Sequence, residues 1–464
     1  MSYWKKFKKK YMGDRAFYRH YLLLAVPMIL QNAITNLVSF LDNIMVGQLG
    51  TEQMSGVAIV NQLIFVYNLA IFGAVSAASI FGAQYFGKGN HKGHMYSFRF
   101  KLYATLLVTG GAILLFLTKG SALISLYLTD TVGNGATDLA LQYGLEYLAI
   151  MMVGLIPFAV NQSYATNIKE TGQTFIPMLA SFVAVGTNAI LDYLMIFGIG
   201  PFPELGVQGA ALATVIARYI EALIVVIWAH IHRGKNRYLE GAYTGFGIPL
   251  AELKAILIKG FPLMMNEVLW AAGMTTVTQC YSVRGLDVVA GLNIASTITN
   301  LFNIVYLQLG SCISIVVGQY LGAGKLEDAK DADNKMIVFS VFCCVIMAAL
   351  MFVVGGFFPG IYNTTEEIRE LATSFIAVSA IIMPFCAFSH ASYFTLRSGG
   401  KTVVTFLFDS VFTWVIVVPA AYLLAHFTGL GIVSIYFLVQ GTELIKVIIG
   451  YLMVKSNVWV VQMV

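Results

Sequence analysis

Charge is what this 464-residue chain most lacks. Asp, Glu, Lys and Arg make up 11% of it, against about a quarter in an average soluble protein. So few charges cannot furnish the polar skin that water demands. Cysteine is sparse too. The five, at 280, 312, 343, 344 and 386, all fall in apolar stretches without the C-x-x-C spacing of a zinc or redox site. They read as small buried hydrophobes. Neither an H-E-x-x-H run nor a Ser/His motif is found, so an enzyme is not expected. A filter-like signature is also missing, which argues against a selective channel.

What is abundant is apolar. Hydrophobic residues reach 58%, and mean hydropathy is +0.78. Lipid suits such a surface, and the disordered and disulfide-rich secreted classes are excluded. Twelve stretches predict spanning helices: 17–46, 52–80, 95–118, 137–163, 176–197, 208–231, 251–281, 287–316, 333–355, 368–394, 402–424 and 431–454. Turn signals such as Gly-Lys-Gly-Asn, Gly-Pro-Phe-Pro and Arg-Ser-Gly-Gly separate them.

Basic residues alternate between loops. Lys5, Lys6, Lys8, Lys9, Lys10, Arg15 and Arg19 lead the chain. Lys88, Lys92, Arg99 and Lys101 mark the second loop, and Arg233, Lys235, Arg237, Lys254 and Lys259 the central one. Lys325, Lys330 and Lys335, then Arg397 and Lys401, mark the eighth and tenth. The odd loops hold little beyond Lys119, Arg284 and Arg369. By the positive-inside rule both termini face the cytoplasm, in the inner membrane. The first helix reads as retained, since a span of near thirty residues with no small-residue cleavage site is not a signal peptide.

The chain also repeats itself. Pro27, Gly50, Gly56 and Asn68 recur as Pro262, Gly285, Gly291 and Asn303, always 235 positions on. Gln84-Tyr85-Phe86-Gly87-Lys88-Gly89 recurs as Gln319-Tyr320-Leu321-Gly322-Ala323-Gly324 at the same spacing. Pro157-Phe158 and Pro384-Phe385 fit an offset shorter by eight. Duplication of so apolar a chain points to a transporter of two homologous lobes. The expected organisation is a basic cytoplasmic N-terminus (1–16), an N-lobe of six helices (17–231), a cytoplasmic linker (232–250) and a C-lobe of six more (251–464). The fold class is therefore an all-α membrane protein, with twelve transmembrane helices in two pseudo-symmetric six-helix bundles.

Ionisable groups inside spans are expensive, so each is a functional candidate. Asp42 lies about four turns after Pro27 in the first span, and its repeat counterpart is Val277. Asn188 and Asp192, four apart in the fifth span, share a helix face and could bind one proton or alkali cation between them. Thr214, in the small-residue run opening the sixth span, could add a hydroxyl. In the second half Asn266, Glu267 and Trp270 follow Gly260-Phe261-Pro262, and Asp409 precedes Trp414 by five residues. Glu267 and Asp409 suggest a second polar centre, although Asp409 could equally snorkel at a helix end. Arg218 and Glu221, three apart, are expected to neutralise one another. His390 reads as a buried neutral ring more readily than as a proton relay.

These residues carry a pattern. The chain resembles the multidrug and toxic compound extrusion (MATE) family over nearly its whole length. The resemblance rests on Pro27 followed by Asp42-x-x-Met45-Val46-Gly47-x-Leu49-Gly50, on Gly82-Ala83-Gln84-Tyr85-x-Gly87, and on Asn188-x-x-x-Asp192. It rests also on Gly206-Val207-x-Gly209-Ala210-Ala211-x-Ala213-Thr214, Lys259-Gly260-Phe261-Pro262, and Arg397-Ser398-Gly399-Gly400-Lys401-Thr402. It implies a V-shaped pair of bundles exporting organic cations or other small amphipathic molecules against inward proton or sodium flow. Asp42, Asn188, Asp192 and Thr214 match the first-lobe coupling cluster, and Glu267 the seventh-helix acid of sodium-coupled members. Pro27 matches a first-helix proline linked to bending. One departure is clear: the tenth span, Phe385-Cys386-Ala387-Phe388-Ser389-His390, lacks the acid that sodium-coupled members place there. No cofactor is implied beyond the coupling ion, H+ or Na+, and no metal beyond Na+ at the N-lobe cluster. A monomer in the lipid bilayer is expected, with no nucleic-acid partner. The main alternative is a flippase for lipid-linked oligosaccharides or peptidoglycan precursors. Such proteins carry several bases in a central cavity, whereas Arg218 reads as nearly the only base within a span here.

Overall fold

A chain in lipid must satisfy its own backbone, and a helix does so within one segment. The computed structural model describes residues 10–128, 136–245 and 247–464, without the side chains of 38–41 and 136, and no strand occurs among them. Lys5, Lys6, Lys8 and Lys9 of the basic leader lie outside the described residues.

The helices are α1 (Arg15–Gly47), α2 (Thr51–Lys88), α3 (His91–Ser125), α4 (Ala136–Val153), α5 (Leu155–Glu170), α6 (Phe175–Ile196) and α7 (Val207–Ile231). After the linker come α8 (Leu250–Ser282), α9 (Leu286–Gly322), α10 (Leu326–Gly355) and α11 (Glu366–Ser398). The last two spans are α12 (Thr402–Phe427) and α13 (Ile432–Lys455). Among the described residues eleven helices are long and apolar enough to cross a membrane, and α4 with α5 makes a twelfth span bent by 44°. Their outward faces are oily: Leu107 is 79% exposed and Val353 61%, a surface that water disfavours and acyl chains cover.

The break in that twelfth span has a local cause. Pro157 offers no N–H to the preceding turn. Side-chain donors reinforce two carbonyls at the bend, of which Gly154 O also accepts from Phe158 N at 3.4 Å. Arg218 donates from Nη1 to Gly154 O at 3.3 Å, and the Tyr67 hydroxyl donates to Leu155 O at 3.0 Å. A Cβ on Gly154 would stand 3.0 Å from a Val215 methyl, so a larger residue here would push against α7.

Two compact units emerge. One comprises Leu30–Gly82 and His91–Lys254, the other Met1–Ile29, Ala83–Asn90 and Ala255–Val464. The division follows the repeat over most of the chain, yet it cuts α1 just beyond Pro27 and assigns the end of α2 to the second unit. The contacts explain this. Tyr21 donates its hydroxyl to Leu309 O at 3.0 Å, and the Tyr18 ring packs against Phe339. In the same unit the duplicated Gln-Tyr-x-Gly motif meets its own copy. A Cβ on Gly87 would stand 1.9 Å from Gln319 O, and one on Gly322 would stand 1.9 Å from Gln84 O. Gln84, fully buried, donates from Nε2 to Ser398 O at 2.9 Å and Val461 O at 3.3 Å, and accepts at Oε1 from Met463 N at 2.8 Å.

In the first unit the linker is fastened to α3. Arg99 donates to the carbonyls of Ala242, Gly247 and Gly241 at 2.9, 2.7 and 2.6 Å. This is a correction to its place among the loop charges: Arg99 is 6% exposed.

Candidate functional site

The first centre lies in the unit built around α6. One helical turn separates Asn188 from Asp192, so both point the same way, and both are buried. The Asp42 carboxyl from α1 faces that of Asp192, which Asn188 also reaches. Asn188 Nδ2 donates to Thr214 Oγ1 of α7 at 3.4 Å. All four residues singled out from the sequence thus converge. Oδ1 of Asp42 and both Asp192 oxygens are buried without a well-aligned protein donor. Carboxylates in contact repel unless something positive is shared between them. Two carboxylates, an amide and a hydroxyl make an all-oxygen donor set, the chemistry of a proton or a hard alkali cation. Tyr147, 5% exposed, stands beside both acids and donates to Asn61 Oδ1 at 3.4 Å. Sequence reasoning missed it, because a lone tyrosine in an apolar run gives no signal.

Arg218 and Glu221 attract one another across the helix face, as expected, but make no direct ion pair. Arg218 serves the α4–α5 break and lies 5.1 Å over the Phe158 ring. Glu221 instead takes the Ser181 hydroxyl, and Gln31 donates to Ser181 Oγ at 2.8 Å. A polar bridge therefore links α1, α6 and α7.

The second centre belongs to the other unit. Asn266 of α8 donates from Nδ2 to Asp409 Oδ2 at 3.1 Å and reaches the Tyr393 hydroxyl at 3.4 Å. Its Oδ1 accepts from the N–H and hydroxyl of Ser410 at 3.3 and 2.8 Å. The backbone at Leu407–Val411 is a π-helical turn, a widened winding common at functional sites. It leaves the Ser410 N–H available to a side chain. Glu267 lies within electrostatic range of Arg397 and Asp409. Trp270, by contrast, is 38% exposed. It is Trp414 whose indole N–H crosses to α8, donating to Leu269 O at 2.8 Å.

Asp409 does not snorkel. It is an ion-pair partner: Lys446 of α13 places Nζ 2.9 Å from its Oδ1. The sequence reading overlooked Lys446, whose signal was the Glu443-x-x-Lys446 spacing inside an apolar span. A second base was misplaced as well. Lys101, counted with the second loop, is fully buried in α3 and holds Asn167 and Glu170, while His94 Nε2 lies 3.4 Å from Glu170. Arg218 is therefore not nearly the sole base within a span. Each of these buried lysines has a carboxylate, as burial requires. Among the described residues no group of three or more His, Cys, Asp or Glu is placed to hold a metal ion. His390 directs Nδ1 to Cys386 O at 2.9 Å, and its ring lies tilted against that of Tyr306 with centroids 4.7 Å apart.

Comparison with known proteins adds three findings. The MatE family model matches twice, over residues 27–194 and 262–423, so the matches begin on Pro27 and Pro262. A Thermotoga maritima protein called probable multidrug resistance protein NorM is 23% identical over 413 residues, 89% of this chain and 86% of its own length. The Bacillus subtilis protein of that name is 23% identical over 435 residues, 91% of this chain and 92% of its own. Among solved structures, a MOP superfamily transporter from Pyrococcus furiosus, described as having a binding pocket of reversed polarity, superposes with TM-score 0.85 at 20% identity, covering 96% of each chain. A MATE protein crystallised in bent and in straight conformations superposes with TM-score 0.84, 20% identity and 96% coverage of each chain in both forms.

Proposed function

The chain belongs to the MatE family, and from that premise we propose that it is a secondary active exporter of small cationic or amphipathic compounds, coupled to inward flow of H+ or Na+. The observation that carries the coupling reading is the convergence of Asp42, Asn188, Asp192 and Thr214 from α1, α6 and α7. The relatives called multidrug resistance proteins support the cargo class. The protein sits in the inner membrane as a monomer with both termini in the cytoplasm, in keeping with its alternating basic loops.

The proposed cycle begins with the binding centre open to the outside. A proton or sodium ion enters between Asp42 and Asp192 and removes their mutual repulsion. In a medium of low dielectric that change is large, and it alters which packing of α1 is favoured. Pro27, lacking an N–H, marks where α1 bends or straightens. Two facts favour this hinge. The division between compact units falls just after Pro27, and a MATE protein of this fold has been crystallised bent and straight. Substrate leaves outward, the ion leaves inward, and a new substrate enters from the cytoplasmic side or the inner leaflet. Carboxylates beside aromatic rings favour cationic, lipophilic cargo.

Uptake of a fluorescent cationic dye into everted vesicles tests the scheme. Wild-type protein accumulates dye under an imposed proton or sodium gradient, and the gradient that works identifies the ion. Asp42→Asn and Asp192→Asn lower the coupled rate by about tenfold or more, the upper range of ordinary coupling energies, while immunoblots show normal insertion. Full uptake by either variant rejects the cluster as the coupling site.

A further inference from the structure

Lys446 has no part in the cycle above, yet it is held with unusual completeness. Its side chain is 8% exposed. Nζ lies 2.9 Å from Asp409 Oδ1 and 4.0 Å from Glu443 Oε2. The same nitrogen sits 5.6 Å from the centre of the Phe408 ring and 5.7 Å from that of Phe412. Carboxylates on two sides and aromatic faces on another form an ammonium-binding cage. The cage is anchored from behind, since Asn266 holds the second Asp409 oxygen and is itself fixed by Ser410. Phe408 and Phe412 lie on either side of Asp409 along α12, so a single element presents an acid and two rings to α13.

We propose that Lys446 is a tethered cation occupying a monovalent-cation site formed by Asp409, Glu443, Phe408 and Phe412, and that its covalent attachment bars that site to free ions. Without the lysine the same four groups bind a sodium ion or a primary alkylammonium ion. The native Asp409 cage then holds no exchangeable ion, so this centre adds nothing to the coupling carried by Asp42 and Asp192. That last consequence rests on the coupling reading above, but the cage does not.

The test is a binding measurement made in an Asp192→Asn background, which disables the other cluster. Purified protein is followed by 22Na+ binding and by thermal unfolding in sodium chloride, n-butylammonium chloride or N-methylglucamine chloride at equal ionic strength. With Lys446 present, binding is absent and unfolding is the same in all three salts. Lys446→Met raises bound sodium to one ion per chain, and its midpoint rises in sodium or butylammonium. Adding Asp409→Asn abolishes both effects. If Lys446→Met is recovered unfolded, its rescue as a monodisperse species by butylammonium during extraction supports the cage, and failure in every salt overturns it. A folded Lys446→Met that binds no cation overturns it too, as does Asp409-dependent sodium binding with the lysine in place. None of these readouts requires transport, so failure here leaves the coupling reading standing.

Discussion

The two halves of the chain build the same polar bridge and end it with opposite charges. In the first half an amide on α1, Gln31, reaches Ser181 on α6, which donates to Glu221 on α7. In the second an amide on α8, Asn266, reaches Asp409 on α12, which pairs with Lys446 on α13. Gln31 and Asn266 stand at the repeat offset of 235. Duplication has thus kept the path across three helices and changed the chemistry along it. The first half keeps its facing acids, Asp42 and Asp192, with no ion pair to a lysine among the described residues. The second pairs its central acid internally. On the proposed reading, a duplicated scaffold divides its labour, with one half left responsive to an outside cation and the other already neutralised.

Mutations can break this contrast at graded strength. Asp409→Ala leaves the Lys446 ammonium buried without its closest acid, and stability falls by about 3–5 kcal/mol. The matching cut in the first half, Ser181→Ala, removes only a bridging hydroxyl and lowers it by about 1–2 kcal/mol. Thermal unfolding in detergent reads both, and equal losses would show that the charge reversal has no energetic meaning. Next, Gly87→Ala and Gly322→Ala each force a methyl into a carbonyl and reduce stability by about 2 kcal/mol. Gly110→Ala, whose Cβ meets nothing within 4 Å, is neutral or better in the same assay. A matched loss at 87 and 322 confirms that the two copies of the motif pack reciprocally. The smallest effect distinguishes the amides. Asn266→Ala costs about 2 kcal/mol because it removes the partner of one Asp409 oxygen and of Ser410, whereas Gln31→Ala costs about 1 kcal/mol.

Much of this was legible in the sequence. Apolar runs between turn signals locate the spans because lipid permits helices and little else. The i, i+4 spacing of Asn188 and Asp192 fixes a common face before any coordinates are seen. The meeting of that face with Asp42 and Thr214 follows from the family resemblance rather than from spacing. The break at Gly154 was hidden, since Pro157 interrupts hydrogen bonding without interrupting hydropathy. Lys446 was overlooked inside its apolar span, and Lys101 was misread for a related reason. A base near the end of an apolar run looks like a loop charge, and only tertiary packing discloses the carboxylate that draws it inward. Trp270 looked like part of the second centre because it is near Glu267 in the chain, but a helix turns it outward.

Gln84 gives the end of α2 a mechanical property of its own. One side chain grips three backbone groups, on Ser398, Val461 and Met463. At about 1 kcal/mol apiece these bonds are ordinary, but all hang on one side chain of three rotatable bonds, so a rotation that breaks one strains the others. Swinging the amide away releases all of them together. A clasp of this kind has no half-open position: whatever parts Ala83–Asn90 from the final residues of the chain must proceed as a snap rather than a slide.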